Sequence, residues 1–143
     1  MTRQEFSQII SEYRKNNKQM IKDICFKLSC LPKDIYRIEK AIYSYNLQKC
    51  LEYLNAIELN MIIHTPDNKH IVINCYDDLV STLILCRKQV YTQQSLAEKA
   101  NCSRISITYF ESKKTIITID SLLKLCEALG VSISVEPIEI NNN

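Results

Sequence analysis

The sequence repeats itself at an offset of 72 positions. At this offset the residues that are identical between the halves include Cys30 and Cys102, Glu39 and Glu111, Leu51 and Leu123, and Ala56 and Ala128. The apolar positions coincide as well, over about forty residues and without a gap. Two unrelated amphipathic regions would not be expected to share Glu and Cys positions too. The repeat therefore predicts one structural unit that is used twice.

Apolar residues at helical spacing dominate both halves. The spacing predicts helices near residues 3–16, 19–28, 32–40 and 46–57, then near 77–88, 92–100, 103–112 and 118–129. Thr92 and Ser103 are suited to cap two of these helices, and either Thr118 or Asp120 the last one. Gly130 is suited to end it. One Gly and three Pro in 143 residues disfavour a turn-rich all-β fold.

Short strands are predicted between the two halves and after the second. The segment NMIIHTPDNKHIVINC indicates a β-hairpin with strands at about 59–63 and 70–75 around a Pro-Asp-Asn turn. The later segment VSISVEPI alternates as a third strand. The three strands could form one sheet within a chain or pair between two chains, and the sequence leaves both open. We expect a mainly α fold with two tandem units of four or five helices, residues 1–66 and 67–143.

Composition limits the classes of partner. The chain has 18 basic and 16 acidic residues, a net charge of +2, so nucleic-acid binding would need a local basic patch. No apolar run approaches the length of a membrane span, and the opening residues MTRQEFSQII are amphipathic, unlike a signal peptide. We expect a soluble cytoplasmic protein that does not contact a membrane.

Residues that could carry a metal or a catalytic reaction are not arranged for either. The seven cysteines contain no C-x-x-C pair, and His64 and His70 flank a predicted turn without a neighbouring Cys. Most of the cysteines occupy apolar helical positions, so buried structural thiols are favoured over a zinc site. The sequence also lacks a glycine-rich phosphate loop and an H-E-x-x-H motif. We therefore expect no enzyme activity, no metal and no cofactor.

The second half carries a more specific pattern. The segments TQQSLAEKANCSRISITYFESKK and TIDSLLKLCEALGVSISV resemble the Cro/C1-type (XRE) helix-turn-helix family across residues 79–135. The strongest matches are Thr92-Gln93, Leu96-Ala97, Phe110-Glu111 and residues 125–131. Asn101 stands where the family has a turn Gly, and Asn readily adopts positive φ. The resemblance implies a lambda-repressor-like helix-turn-helix unit.

The first half is a divergent relative of the same pattern. Met20-Ile21 stands where the family has Thr-Gln, and Leu31-Pro32-Lys33-Asp34 opens the third helix. Proline is tolerated in the first turn of a helix, so the fold is compatible with this change. The DNA-reading chemistry is altered, because the negative carboxylate of Asp34 would repel phosphate. The first half is therefore expected either to read a different half-site or to serve packing and protein contact.

The resemblance implies roles for individual residues. In the family the third helix enters the major groove, which assigns base contacts to Arg104, Ile105, Ser106 and Tyr109. Backbone contacts are assigned to Gln93, Lys88, Lys113 and Lys114. Matching first-half positions are Lys33, Tyr36 and Arg37. The family's buried ion pair is assigned to Arg87 with Glu111 and, in the first half, to Arg14 with Glu39.

The expected function is that of a sequence-specific regulator of transcription that binds double-stranded DNA. A tandem repeat can supply in one chain the two-fold arrangement that such proteins otherwise obtain by dimerising. The strands could join the units as a pseudo-dimer or join two chains as a homodimer. The alternative is an antitoxin or a protein-interaction adaptor with the same fold and a protein partner.

Overall fold

The computed structural model describes residues 1–139, and within them eight helices and three strands follow one another along the chain. The helices are α1 Arg3–Asn16, α2 Ile21–Leu28, α3 Pro32–Lys40, α4 Leu47–Ala56, α5 Tyr76–Val90, α6 Gln93–Lys99, α7 Arg104–Glu111 and α8 Ile119–Leu129. The strands are β1 Leu59–His64, β2 His70–Ile73 and β3 Ser132–Pro137. The fold is thus mainly helical with a small sheet, as the sequence predicted.

Most boundaries lie within one or two residues of the sequence prediction, and two of the differences have a local reason. The second hairpin strand ends at Ile73 instead of 75, because the Asn74 N–H is donated to Asp78 Oδ2 at 3.2 Å, in the first turn of α5. The second helix begins at Ile21 instead of 19. The Gln19 N–H is donated to the Arg14 carbonyl at 3.1 Å, so this residue still belongs to the end of α1.

The three strands form one antiparallel sheet within a single chain. Their order is β2-β1-β3, so the hairpin strand β1 lies in the centre and pairs along its length with β3. Met61 and Ile63 of β1 are buried against the helices. Of the two arrangements that the sequence left open, the structure shows the one in which the strands pair within the chain.

Backbone pairing joins the two halves at two places, and both pairs have the same sequence offset. Asn46, the N-cap of α4, forms an antiparallel bridge with Thr118, the N-cap of α8. In the sheet, Ile62 pairs with Ser134. Each of these pairs joins residues 72 positions apart, the offset of the sequence repeat. Antiparallel pairing of equivalent positions at both places is what an approximate two-fold axis between the halves produces.

One hydrophobic core connects the two halves. It includes Phe6 and Tyr53 from the first half, Phe110 and Leu122 from the second, and Met61 of the central strand. Helices from different halves also contact each other directly, α1 with α8 and α4 with α5. The halves therefore pack as one body.

Within residues 1–139, no helix combines the length and the apolar character that crossing a membrane requires.

Candidate nucleic-acid interface

A buried ion pair fixes the third helix of the second half. Arg87, near the end of α5, donates from Nε to Glu111 Oε2 at 2.5 Å and from Nη2 to Oε1 at 2.8 Å. Its Nη1 donates to the Tyr91 carbonyl at 3.1 Å. Both side chains are about nine-tenths buried. This two-point contact is a strong and directional one, and it locks the end of α7 against α5.

The first half contains the same arrangement. Arg14 donates from Nε to Glu39 Oε2 at 2.5 Å, from Nη2 to Oε1 at 3.0 Å, and from Nη1 to the Gln19 carbonyl at 2.9 Å. The hydroxyl of Tyr53 also donates to Glu39. The hydrogen bonds that Arg14 donates to Glu39 raise the pKa of Arg14 above its ordinary value, in spite of burial. The two halves therefore hold their third helices by one common device.

The turn between α6 and α7 has the geometry of a helix-turn-helix. Thr92 caps α6 by accepting from the Ser95 N–H at 3.1 Å, and Ser95 Oγ accepts from the Thr92 N–H at 2.9 Å. Asn101 adopts the left-handed conformation with φ 55°. Asn tolerates this region better than other residues with a side chain. Ser103 then caps α7 through the Ser106 N–H at 3.2 Å.

The outward face of α7 is exposed and mixed in character. Ile107 and Phe110 point into the core, which leaves Arg104, Ile105 and Tyr109 exposed on the outer side. Ile105 is 63% exposed and Tyr109 41% exposed. The ammonium of Lys114 lies 5.1 Å from the centre of the Tyr109 ring, a cation–π distance. These four predicted contact residues are thus exposed on α7 or just beyond its end.

A shallow groove joins α7 to the start of α6. It has a volume of about 440 Å³, and its lining includes Lys88, Gln93 and Arg104. The structure thus brings two predicted backbone contacts together with one predicted base contact. The groove opens beside the first turn of α6, where free backbone N–H groups favour an anion.

The Gln93 side chain is already engaged within the protein. Its Nε2 donates to Glu111 Oε1 at 3.0 Å, and its Oε1 accepts from the Thr108 hydroxyl at 3.0 Å. Gln93 therefore extends the buried ion pair to the surface of α7. A phosphate contact by Gln93 would use the second hydrogen of its amide or its backbone N–H.

Two other predicted contacts lie away from this surface. Ser106 lines a separate cleft of about 120 Å³ between α7 and α8, together with Lys124, and its hydroxyl lies 2.8 Å from that of Ser103. Lys113 forms a surface salt bridge with Asp77 at 3.1 Å. Both residues are exposed. Ser106 faces the cleft beside α8 and Lys113 faces Asp77 of α5, apart from the groove that contains Arg104.

The structure adds two exposed residues that the sequence analysis did not single out. Thr108 and Ser112 lie on the outer side of α7 and at its C-cap. A helix advances 100° per residue, which puts positions 104 and 108 on adjacent turns of one face, and likewise 105, 109 and 112. Counting this periodicity from the apolar positions 107 and 110 would have identified both residues.

The matching first-half residues also share a groove. Lys33, Tyr36 and Arg37 line a groove of about 440 Å³ that is completed by Asp34, Lys40, Ile42 and Tyr43. Asp34 Oδ2 accepts the Leu31 N–H at 2.9 Å, so this carboxylate serves the start of its own helix. The first half thus offers a surface at the corresponding place, but with a different composition.

The cysteines and histidines form no metal-binding cluster with acidic residues in the described part of the chain. Cys25, Cys50 and Cys126 are buried, whereas Cys75 and Cys102 are exposed. Burial raises the pKa of the Cys50 and Cys126 thiols to about 12. The rings of His64 and His70 contact each other with centres 4.4 Å apart, on paired strands.

Comparison with known proteins gives one match. The model of the helix-turn-helix family matches residues 84–135, from the middle of α5 to β3. No curated protein and no solved structure matches the chain significantly. The matched segment contains the buried ion pair, the turn at Asn101 and the exposed face of α7. Helix-turn-helix proteins bind DNA. Residues 84–135 therefore match the helix-turn-helix family, in agreement with the Cro/C1-type resemblance of the sequence.

Proposed function

We propose that the protein is a transcriptional regulator that recognises a specific sequence in double-stranded DNA by placing α7 in the major groove. The observation that carries the proposal is the exposed, partly basic face of α7, held rigidly by the Arg87–Glu111 pair inside a segment that matches a DNA-binding family. Rigid support matters, because base-edge contacts require side chains in fixed positions.

Individual contacts follow from the chemistry of the face. Arg104 suits the paired acceptors O6 and N7 of guanine, and Ile105 suits the methyl group of thymine. Tyr109 and, from the flank, Ser106 complete the base contacts. Lys88, Gln93 and Lys114 would contact the DNA backbone. Lys113 would do so only after leaving Asp77, a small cost for an exposed pair.

The two halves, residues 1–66 and 67–143, would form a pseudo-dimer in which only the second half reads bases. Lys40 at the end of α3 and Glu111 at the end of α7 are six and seven residues from the Asn46–Thr118 bridge. Extended chain spans at most about 3.5 Å per residue, so each helix end lies within about 25 Å of the bridge.

Selection from random duplexes, followed by titration at about 50 and 200 mM salt, tests the proposal. We expect one preferred sequence and an affinity that falls steeply with salt as counterions are released. Arg104→Ala should weaken binding to that preferred duplex and reduce the base preference at one base pair. Lys69→Ala, on the exposed hairpin turn, is the matched control and should have little effect. An absence of duplex affinity at low salt would refute the proposal.

A protein-interaction role, as an antitoxin or an adaptor, is the second candidate. The observation that favours it is the exposed apolar surface of the first half, where Phe26 is 88% exposed. It is compatible with DNA binding by the second half in the same molecule. Under both candidate functions we propose a cytoplasmic protein without enzyme activity.

A further inference from the structure

The two halves differ most where their third helices meet solvent. In the first half six large apolar side chains are exposed in this region: Met20, Phe26, Leu31, Tyr36, Ile42 and Tyr43. The residues 72 positions later are Thr, Glu, Ser, Thr, Lys and Thr. The second half forms the same helices with polar residues at all six positions. Folding therefore does not require these apolar side chains, and their exposure needs another explanation.

Three of the six side chains line one groove. Tyr36, Ile42 and Tyr43 line the first-half groove of about 440 Å³, where Ile42 is 68% and Tyr43 72% exposed. Protein–protein interfaces are enriched in Tyr and Arg, and their strongest contacts are large side chains that lose water on binding. The groove has the composition of such an interface.

The segment that carries Ile42 and Tyr43 is held in place. Arg3 donates from Nε to the Ala41 carbonyl at 3.0 Å and from Nη2 to the Ile42 carbonyl at 3.2 Å. Arg3 also forms a salt bridge with Asp120 of α8. The backbone between α3 and α4 is thus fastened both to α1 and to the second half. A surface fixed in this way loses little conformational entropy when a partner binds.

The charges around the groove are mainly positive. Lys33, Arg37 and Lys40 are exposed along its lining, and the Lys40 ammonium lies 5.2 Å from the centre of the Tyr36 ring. The carboxylate in the lining, Asp34, accepts a hydrogen bond from the start of its own helix. A partner with carboxylates beside apolar groups would be complementary to this surface.

Duplex DNA is also anionic, but it suits the groove less well. Phosphate contacts need N–H, O–H or ammonium donors. The side chains of Met20 and Ile42 supply none, whereas their counterparts Thr92 and Lys114 do. Phosphates packed against these two exposed apolar side chains would lose hydration without gaining hydrogen bonds.

We infer that the first-half groove binds an acidic protein segment that inserts one or two large apolar side chains between Tyr36, Ile42 and Tyr43. Carboxylates on either side of the inserted residues pair with Lys33, Arg37 and Lys40. The surface is separate from α7, so this inference does not depend on DNA binding by the second half.

Selection of a displayed random-peptide library on the full chain tests the inference. The selected peptides should combine an excess of Asp and Glu with a large apolar residue. A synthetic copy of the leading peptide should bind at least tenfold more weakly to Ile42→Ser/Tyr43→Thr, because both substitutions replace exposed apolar groups. Leu85→Ser, an exposed apolar residue on α5, is the matched control and should bind the peptide like the unmodified chain.

The outcomes separate this inference from the proposed function. Peptides without an acidic excess, equal binding by the double variant, or no selected peptide at all would overturn it. So would concentration-dependent self-association abolished by the same double variant, since a second copy would then be the occupant. A large loss of duplex affinity in the double variant would overturn it as well, by assigning the groove to DNA. If the unmodified chain does not bind duplex DNA, only the proposed function is refuted.

Discussion

The two halves share an internal frame and differ on the surface that this frame presents. In both, an Arg near the end of the first helix makes a two-point contact with a Glu at or near the end of the third. Around α7 the exposed residues are mostly polar or basic, whereas around α3 they include several large apolar side chains. The interior Arg–Glu contact is the same in both halves, while the outer face differs. The comparison teaches that fold and surface function vary separately in this chain.

The largest expected effect concerns the shared frame. Arg14→Ala and Arg87→Ala should each lower the free energy of unfolding by about 3–5 kcal/mol, because each leaves a buried carboxylate without its partner. Urea unfolding followed by circular dichroism measures both. Lys15→Ala, next to Arg14 and exposed, is the control and should change little. A loss below about 1 kcal/mol in either half would show that the two frames are not equivalent.

The next effect concerns the different surfaces. Arg104→Ala should weaken binding to the preferred duplex by about 1–3 kcal/mol, since a base contact is lost. Arg37→Ala, on the corresponding face of α3, should cost less than about 0.5 kcal/mol and leave the preferred sequence unchanged. Fluorescence anisotropy with the preferred and a scrambled duplex distinguishes the two. Equal losses, both specific to the preferred duplex, would mean that the first half also reads bases.

Helix caps provide a smaller and reciprocal effect. Thr92 caps α6, whereas its counterpart Met20 makes no side-chain hydrogen bond at the start of α2. Thr92→Met should therefore destabilise the protein by about 0.5–2 kcal/mol, and Met20→Thr should stabilise it by a similar amount. Thermal or urea unfolding tests both variants. No gain from Met20→Thr would indicate that Met20 packs favourably in a way that the cap cannot replace.

The smallest effect concerns one buried thiol in the fourth helix of each half. Burial raises the pKa of Cys50 and Cys126 from 9.0 to about 12, so the folded protein keeps protons that the unfolded chain loses. The contribution of the protonated thiols to the free energy of unfolding is therefore fully present below pH 9 and decreases as the pH rises from 9 towards 12. Each thiol should lower stability by roughly 1 kcal/mol near pH 9.5 relative to pH 7.5. Unfolding at both pH values measures this.

Single variants separate the two thiols. Cys50→Ala and Cys126→Ala should each reduce the pH dependence, while Cys75→Ser, which changes an exposed residue, should leave it as it is. An unchanged pH dependence in both buried variants would show that other groups cause it. Tyr45 and Tyr53, whose pKa values burial also raises, would then be the next candidates.

The sequence predicted most of the fold because its signals are local. Apolar periodicity and the caps Thr92, Ser103 and Thr118 place the helices to within a few residues. The 72-residue offset appears again in the Asn46–Thr118 bridge and the Ile62–Ser134 pair, but pairing within the chain could not be told from pairing between chains. That choice depends on long-range packing, which a local pattern does not encode.

For the candidate site, the sequence indicated which residues are exposed but not which partners their side chains contact. Arg104, Ile105 and Tyr109 are exposed on the outer side of α7. The engagement of Gln93 by Glu111 and Thr108, and of Lys113 by Asp77, depends on side-chain rotamers and on helices that are distant in sequence. The groove that contains Tyr36, Ile42 and Tyr43 could not be predicted from the sequence either, because the sequence does not show which apolar residues remain exposed after folding.

The most direct measurement is a titration of isotope-labelled protein with its preferred duplex, followed by the amide and Arg side-chain resonances. If α7 enters the major groove, the amides of residues 104–109 and 92–94 and the Arg104 guanidinium should shift together and saturate at one stoichiometry. If those resonances stay in place while the duplex binds elsewhere, the helix-turn-helix of the second half is not the reading element.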